Sequence, residues 1–410
     1  MTYIQKGTKQ YRSASLSLFF AGFVTFAILY TTQPLLSNFA REFNVSAPVA
    51  SLTLSLTTGL LAIVMLVAAA LSDAIGKKKI MVLSMVCTSI FGLLTAFSPN
   101  FITLLMFRAV LGIFIAGVPS IAMAYVTEEF DPKGIGKIMG LYISGTTIGG
   151  MTGRIVTGIL TDFFSWRIAL AAIGVLSLIF SVLFAHMLPA PRQFAKKMLD
   201  WKTACAAYKA HLHNRHLMAL MFLSLLLMGG FVTLYNYIGF LLVEPPYNLS
   251  QTLVGFIFVV YLCGTFSSIY MGKKADQYGR SFILKISLGI MAGGAILTLV
   301  PPLMIKVIGI CIFTFGFFAS HSIASAWVGD TAVKYKTQAS SLYLLFYYLG
   351  SSLIGSIGGY FWLHFHWLGV ICLISVLLMV GYPLVFLDQK GVRITQFNKP
   401  GEEPVKRKVN

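Results

Sequence analysis

The sequence predicts an all-α membrane protein with twelve transmembrane helices in two pseudo-symmetric six-helix bundles and both termini in the cytoplasm. Three observations lead there. Hydrophobic residues make up 57% of the 410-residue chain and charged residues 11%, against roughly 45–50% and 25% in a soluble domain. Apolar windows of about 20 residues, the length that crosses a bilayer core as a helix, recur along the whole chain. One polar connector between such windows occurs twice, as Ala69-x-x-x-Asp73-x-x-Gly76-Lys77-Lys78 and as Gly272-x-x-x-Asp276-x-x-Gly279-Arg280.

The first window, near 15–38, is too long for a signal-peptide core and no small-residue cleavage site follows it, so it stays as span 1. Spans 2 to 6 read near 46–71, 79–98, 101–127, 134–161 and 165–188. Pro34 and Pro119 fall inside spans 1 and 4 and predict bends, because each removes a backbone hydrogen bond. Residues 189–215 open with Pro189 and Pro191 and then run basic and amphipathic through Phe194, Met198, Leu199, Trp201 and Tyr208, as a linker along the inner membrane surface would. The remaining spans read near 216–242, 250–272, 281–300, 303–329, 336–363 and 366–387. The expected organisation is a bundle over 1–188, a cytoplasmic linker over 189–215, a second bundle over 216–388 and a cytoplasmic tail over 389–410.

The net charge of +18 follows from placement. With the N-terminus in the cytoplasm, only Arg41, Arg108, Arg154, Arg167 and Lys306 among 31 Lys and Arg residues fall elsewhere, as the positive-inside rule requires. Lys133 lies in a cytoplasmic loop, and the cluster Lys406-Arg407-Lys408 reads as a membrane-side feature, not a nucleic-acid site. Cys87, Cys205, Cys263, Cys311 and Cys372 are scattered without pairing or metal spacing, and His364-x-His366 is a weak ligand pattern. No phosphate-binding loop or nucleophile elbow occurs, so no cofactor, no metal and no enzyme activity are expected.

The two connectors place Asp73 and Asp276 203 residues apart, and further markers repeat at nearly that offset. Gly145-x4-Gly150-x2-Gly153 in span 5 recurs as Gly350-x4-Gly355-x2-Gly358 in span 11, and Gly112 recurs as Gly316. Halves that each hold six spans and start on one side are parallel repeats about an axis along the membrane normal. These glycines, with Gly149, allow helices to approach closely, either for rocking of one half on the other or as plain tight packing. In the connectors, Gly76 and Gly279 permit a backbone other residues resist. An aspartate there favours a neighbouring helix N-terminus, and Lys77, Lys78 and Arg280 suit anionic headgroups. A topogenic turn without a gating role is the alternative.

Arg108 and Arg154 are the only clear charges inside spans, at a cost of roughly 2.5–3.5 kcal/mol each near the bilayer centre. The thirteen acids stay out of span middles, so a cavity with two arginines favours anionic or neutral polar solutes. Alternatively, Arg108 bonds helix carbonyls and Arg154 reaches the outer interface or Asp162. His321, near the middle of span 10, suits a proton carrier by its titration range or a hydrogen bond between helices. Tyr30, Gln33, Tyr235, Asn236, Tyr237, Tyr347 and Tyr348 are amphipathic groups fit either for a wet midplane cavity or for interhelical contacts.

In these features the chain resembles the major facilitator superfamily over essentially its whole length. Asp73, Gly76, Lys77 and Lys78 match its GxxxDxxGRK-type loop, with Ala69 in place of the first glycine and Ala74 where an arginine is common. Gly272, Asp276, Gly279 and Arg280 match more closely. Arg108-x-x-x-Gly112 resembles the RxxxG signature of the drug/proton antiporter branches. The run Gly145-Thr-Thr-Ile-Gly149-Gly150-Met-Thr-Gly153-Arg154 is similar to their GxxxGPxxGG signature, with Gly150 for the proline and Arg154 for a glycine. Together with Tyr30-x-x-Gln33-Pro34 and Tyr235-Asn236-Tyr237-Ile238-Gly239 it looks like the bacterial YnfM-type subgroup.

The resemblance implies a monomeric secondary transporter of the inner (plasma) membrane, with a small-molecule substrate, a coupling proton and surrounding lipid as partners. It implies that Asp73 latches the halves in an outward-open state. Spans 1, 4, 7 and 10 line the cavity in that superfamily, which makes Tyr30, Gln33, Arg108, Asn236 and His321 the candidate substrate contacts and Arg108 and His321 the candidate proton carriers. Export by proton antiport is the favoured mode, uptake competes with it, and a non-transporting ligand sensor is the reading from another class.

Overall fold

The computed structural model describes residues 3–131, 135–191, 201–332 and 334–387, without the side chains of Ala69, Asp73, residues 201–204 and Leu387. Lys133, the linker from 192 to 200, the tail over 389–410 with its basic cluster, and the Asp73 carboxylate lie outside the described residues.

Fifteen α-helices run along the described chain. The first eight are α1 (Lys9–Tyr30), α2 (Leu36–Glu42), α3 (Ala47–Ile75), α4 (Lys77–Thr95), α5 (Phe101–Ile115), α6 (Pro119–Glu129), α7 (Ile135–Phe163) and α8 (Trp166–Met187). After α9 (Trp201–His213) come α10 (Arg215–Val243), α11 (Gln251–Phe256), α12 (Tyr261–Tyr278), α13 (Arg280–Leu297), α14 (Leu303–Thr331) and α15 (Lys336–Leu387). Among the described residues, the β structure is an isolated bridge between Ile4 and Phe130. Polar residues start the helices where the chain turns: Thr8, Asn100, Ser165, Asn214 and Ser250 each accept a bond from a backbone N–H in the first turn.

Among the described residues, ten stretches are long and apolar enough to cross a bilayer, two fewer than the windows expected. One difference lies in α15, where His366 leaves helical dihedrals at φ 49° and ψ −144°. At about 1.5 Å per residue, so long a helix would overrun a ~30 Å core more than twofold, so His366 marks a turn. The other is α7, a continuous 29-residue helix whose glycines, threonines and Arg154 dilute its apolar character. Large side chains such as Ile63, Phe97, Met106 and Ile269 point outward, as a surface that meets lipid tails requires.

Both prolines interrupt their spans. Pro34 offers no N–H to the end of α1, which gives way to a 3-10 turn over Gln33–Leu35, and Pro119 opens α6 after a break at the end of α5. The connectors are a single residue long. Gly76 (φ 112°) joins α3 to α4 and Gly279 (φ 92°) joins α12 to α13, both in the left-handed region that favours glycine.

α1 packs on α7 and α8, α3 on α5, and α4 on α5 and α8; α10 packs on α15, α12 on α14, and α13 on α14 and α15. Two seams, α3 on α15 and α7 on α11, join these groups. A Cβ at Gly145, Gly149 or Gly153 would collide with the backbone of Phe19, Phe23 or Ala27 on α1, and one at Gly350 with Leu225 on α10. Gly355 and Gly358 lie against Val232 and Thr233, also on α10. The glycine stripe of the sequence therefore tightens each group internally. The glycines at the seams are others: Gly158 lies against Gln251, Gly255 against Arg154 and Gly158, and Gly359 against Pro48. The helix α9 packs against α10 and α15, where His211 Nε2 meets the Tyr335 carbonyl at 3.1 Å.

Candidate substrate site

The break in α1 leaves its last carbonyls without partners from its own backbone. Arg108 on α5 supplies them. Its Nη1 donates to Ile28 O (3.0 Å), its Nη2 to Leu29 O (2.7 Å) and its Nε to Thr53 O on α3 (2.7 Å). Thr57 returns a bond to the Arg108 carbonyl at 2.9 Å. With 1% of its surface exposed and every guanidinium nitrogen on a carbonyl, Arg108 is a clamp on α1, α3 and α5. These contacts are the ones the carbonyl-binding alternative describes, and a cation placed at a helix C-terminus is stabilised there.

Arg154, the other buried charge, is placed differently. Its Nε donates to Gln33 Oε1 at 2.8 Å and its Nη1 to Gly150 O at 2.8 Å. Its guanidinium lies 4.2 Å from the Tyr30 ring centre, 4.5 Å from that of Phe258 and 5.0 Å from that of Tyr261. Gln33 then passes the bond on, its Nε2 donating to Asn236 Oδ1 at 2.9 Å. The order is forced: a guanidinium only donates, so Gln33 turns its carbonyl to Arg154 and its amide to Asn236, which must present its own carbonyl. Asn236 is left with a buried Nδ2 that finds no partner among the described residues. The chain Arg154–Gln33–Asn236 crosses from the first group of helices to the second.

Of the residues expected to contact substrate, Tyr30, Gln33 and Asn236 thus come together, and Arg154 joins them instead of reaching Asp162. The Asp162 carboxylate accepts the backbone N–H groups of Gln251 (3.0 Å) and Thr252 (2.7 Å), so a residue of α7 caps α11 across the seam. Gln251 also bonds Ser37 at 3.4 Å, and Ser351 bonds Thr58 at 3.4 Å. His321 stands apart from the chain: its Nδ1 is 3.0 Å from Tyr343 Oη and its ring 4.5 Å from that of Tyr347. Tyr347 in turn lies 5.2 Å from Tyr348, ring centre to ring centre. Tyr235 and Tyr237 bond Thr314 and the Gly355 carbonyl within the second group. Sequence reasoning missed Phe258 and Tyr261, which carry no signal beyond being aromatic residues in an apolar window.

The connector cations pair with acids of their own group. Lys77 bonds Glu128 at the end of α6 at 2.8 Å, and Arg280 bonds Asp330 at the end of α14. Asp276 is exposed. Lys78 lines a cleft of about 720 Å³ with Ile75, Val82 and Ala185, at the end of the molecule that carries Gly76 and away from Arg154. The five cysteines are free, yet Cys263 and Cys311 bring their sulfurs to 3.0 Å on α12 and α14, a pairing the sequence spacing did not reveal. Among the described residues, no three His, Cys, Asp or Glu side chains gather as a metal site would need.

The family model described as Major Facilitator Superfamily matches residues 18–353 and 246–408. The chain is 49% identical over 381 residues to the uncharacterized MFS-type transporter YybF of Bacillus subtilis (strain 168), covering 93% of this chain and 94% of that one. It is 43% identical to the inner membrane transport protein YnfM of Escherichia coli (strain K12), covering 92% and 91%. In fold it is similar to a bacterial homologue of the human lysosomal transporter Spinster, solved inward-facing and unoccupied, with a TM-score of 0.79 at 14% identity over 94% of this chain and 98% of that one. An almost wholly helical chain with ten apolar spans, an interrupted first helix and these relatives belongs to the Major Facilitator Superfamily of membrane transporters.

Proposed function

We propose that this protein is a secondary active transporter of the inner membrane that moves a small anionic or neutral polar solute by alternating access, with proton-coupled efflux of a drug or metabolite as its mode. The observation that carries the reading is the chain Arg154–Gln33–Asn236, which spans both helix groups and holds a cation with no carboxylate paired to it among the described residues. A site shared between two groups changes shape when they rock. The bundles are 1–188 and 216–388, the unit is a monomer, and the termini face the cytoplasm. The bonds of Asp162 and Ser351 and the glycine contacts at Gly158 and Gly359 then close the outer side. Arg108-x-x-x-Gly112 supports export by its likeness to antiporter signatures, while Gly150 and Arg154, which depart from them, favour uptake as the second reading.

Purified protein in liposomes tests this. Solute movement against its own gradient when a proton gradient is imposed, and collapse of that movement with a protonophore, is the expected outcome. The sign of the proton gradient that drives accumulation separates efflux from uptake. Binding with no flux under either gradient sinks the transport reading and leaves a ligand sensor.

A further inference from the structure

The cleft beside Gly76 has an apolar body and a charged mouth. It encloses about 720 Å³ between α4 and α8, with Val82, Leu83 and Val86 on one side and Ala185 on the other. Lys78, half-buried, and Lys79, exposed, stand at one end of it. Residues 79, 82, 83 and 86 follow one another at helical spacing, so the apolar strip extends about 10 Å along α4 from the charged end. Leu83 is 53% exposed, which leaves the strip open to the side where lipid tails lie.

The charges at the mouth call for an anion. α4 opens on Lys77, Lys78 and Lys79, with no acid in its first turn. Three cations therefore crowd the positive end of a helix dipole. Lys77 takes Glu128, and among the described residues no acid pairs with Lys78 or Lys79. The second helix group shows that the fold does not impose this arrangement. There Ser281 stands two residues past the connector glycine, where the first group has Lys78, and it bonds the Val385 carbonyl at 3.4 Å. One turn on, Lys285 Nζ lies 3.5 Å from the Phe386 ring centre. These contacts tie α13 to the end of α15, whereas α4 and α8 part around the cleft at the matching level.

We propose that this cleft binds an anionic phospholipid, its phosphate on Lys78 and Lys79 and an acyl chain along Val82 and Val86 against Ala185. Cations at the mouth and an apolar strip beyond them match an amphiphile. A water-soluble anion would leave the strip unfilled, and a lipid without net charge would leave the lysines unneutralised. The chain's own linker brings Arg192, Lys196 and Lys197, of the same sign as Lys78 and Lys79, so charge disfavours it as the occupant. In the orientation proposed above the lipid belongs to the cytoplasmic leaflet, and its binding does not depend on which solute is moved.

The purified full chain, stripped of lipid in a neutral detergent, is titrated with dioleoyl phosphatidylglycerol, with dioleoyl phosphatidylcholine and with glycerol phosphate. Thermal unfolding is followed, and native mass spectrometry counts the lipids retained. The expected result is a rise of a few degrees with phosphatidylglycerol, saturating with concentration, and little or none with the other two. Lys78→Gln with Lys79→Gln weakens apparent affinity about tenfold, a loss of roughly 1.4 kcal/mol, and lowers the retained count by one. Lys9→Gln with Lys137→Gln removes the same charge from exposed positions elsewhere and leaves both readouts unchanged. Ala185→Trp fills the cleft, keeps both lysines and also weakens binding, and it carries the test should the lysine variant fail to fold. Equal stabilisation by phosphatidylcholine or glycerol phosphate, an equal loss in the Lys9 and Lys137 control, undiminished binding in the lysine or Ala185 variant, or no response to phosphatidylglycerol overturns the proposal.

Discussion

Arg108 and Arg154 are the same residue at nearly the same burial, and they are held in opposite ways. Around Arg108 three backbone carbonyls from α1 and α3 take every guanidinium nitrogen. Around Arg154 the partners are a side-chain amide, one carbonyl of its own helix and three aromatic rings contributed by both helix groups. Carbonyls fixed in helices cannot leave, so the first arginine is part of the scaffold. Side chains on separate groups can leave, so under the proposed alternating access the second would part from its partners as the groups rock. Burial of a charge in a membrane bundle marks importance, and only its partners say of which kind.

The contrast is broken or sharpened most strongly at Arg108. Arg108→Leu leaves the carbonyls of Ile28, Leu29 and Thr53 without donors and should cost about 3 kcal/mol or more in unfolding free energy, read as a large fall in thermal stability or loss of folded yield. A variant that stays as stable as the parent would erase the distinction between the two arginines. Arg154→Gln should instead lower transport about a hundredfold, roughly 2.7 kcal/mol, with an unfolding temperature close to the parent's.

Smaller effects test the seam around Arg154. Gly158→Leu places a side chain where the Gln251 backbone now lies, so spin-label distances across the α7–α11 seam should lengthen, with the closed population falling about tenfold or by ~1.4 kcal/mol. Asp162→Ala removes the acceptor of the Gln251 and Thr252 N–H groups across the seam, leaves the Ser250 cap in place, and should shift the same equilibrium by about 1 kcal/mol. Lys77→Gln, which breaks a partly exposed pair with Glu128 inside one group, should change stability by no more than about 1 kcal/mol and leave the seam distances alone.

Much of this was legible in the residues. Apolar windows located most spans because the bilayer imposes one length and one polarity, and the prolines at 34 and 119 marked both helix breaks. The fifth window, read near 134–161, meets α7 closely even though its glycines and threonines serve helix contacts at the expense of hydropathy. Gln33, Asn236 and Tyr30 were legible as polar groups in apolar spans. For Arg108 the sequence offered carbonyl bonding only as one alternative and could not say which carbonyls, because they are present at every residue and leave no mark in a sequence. Glu128 and Asp330 read only as acids near helix ends until the chain's return brought Lys77 and Arg280 to them. Asp162 and Gln251 are unremarkable letters whose meeting depends on how two helix groups lean together.

The joints at Gly76 and Gly279 have a mechanical consequence. A connection of one residue has no slack, so α3 cannot tilt without carrying α4 with it, nor α12 without α13. Each pair behaves as a bent lever. Movement at the α3–α15 seam is thereby delivered to the outer wall of the bundle against the lipid, where the thickness and tension of the membrane can push back.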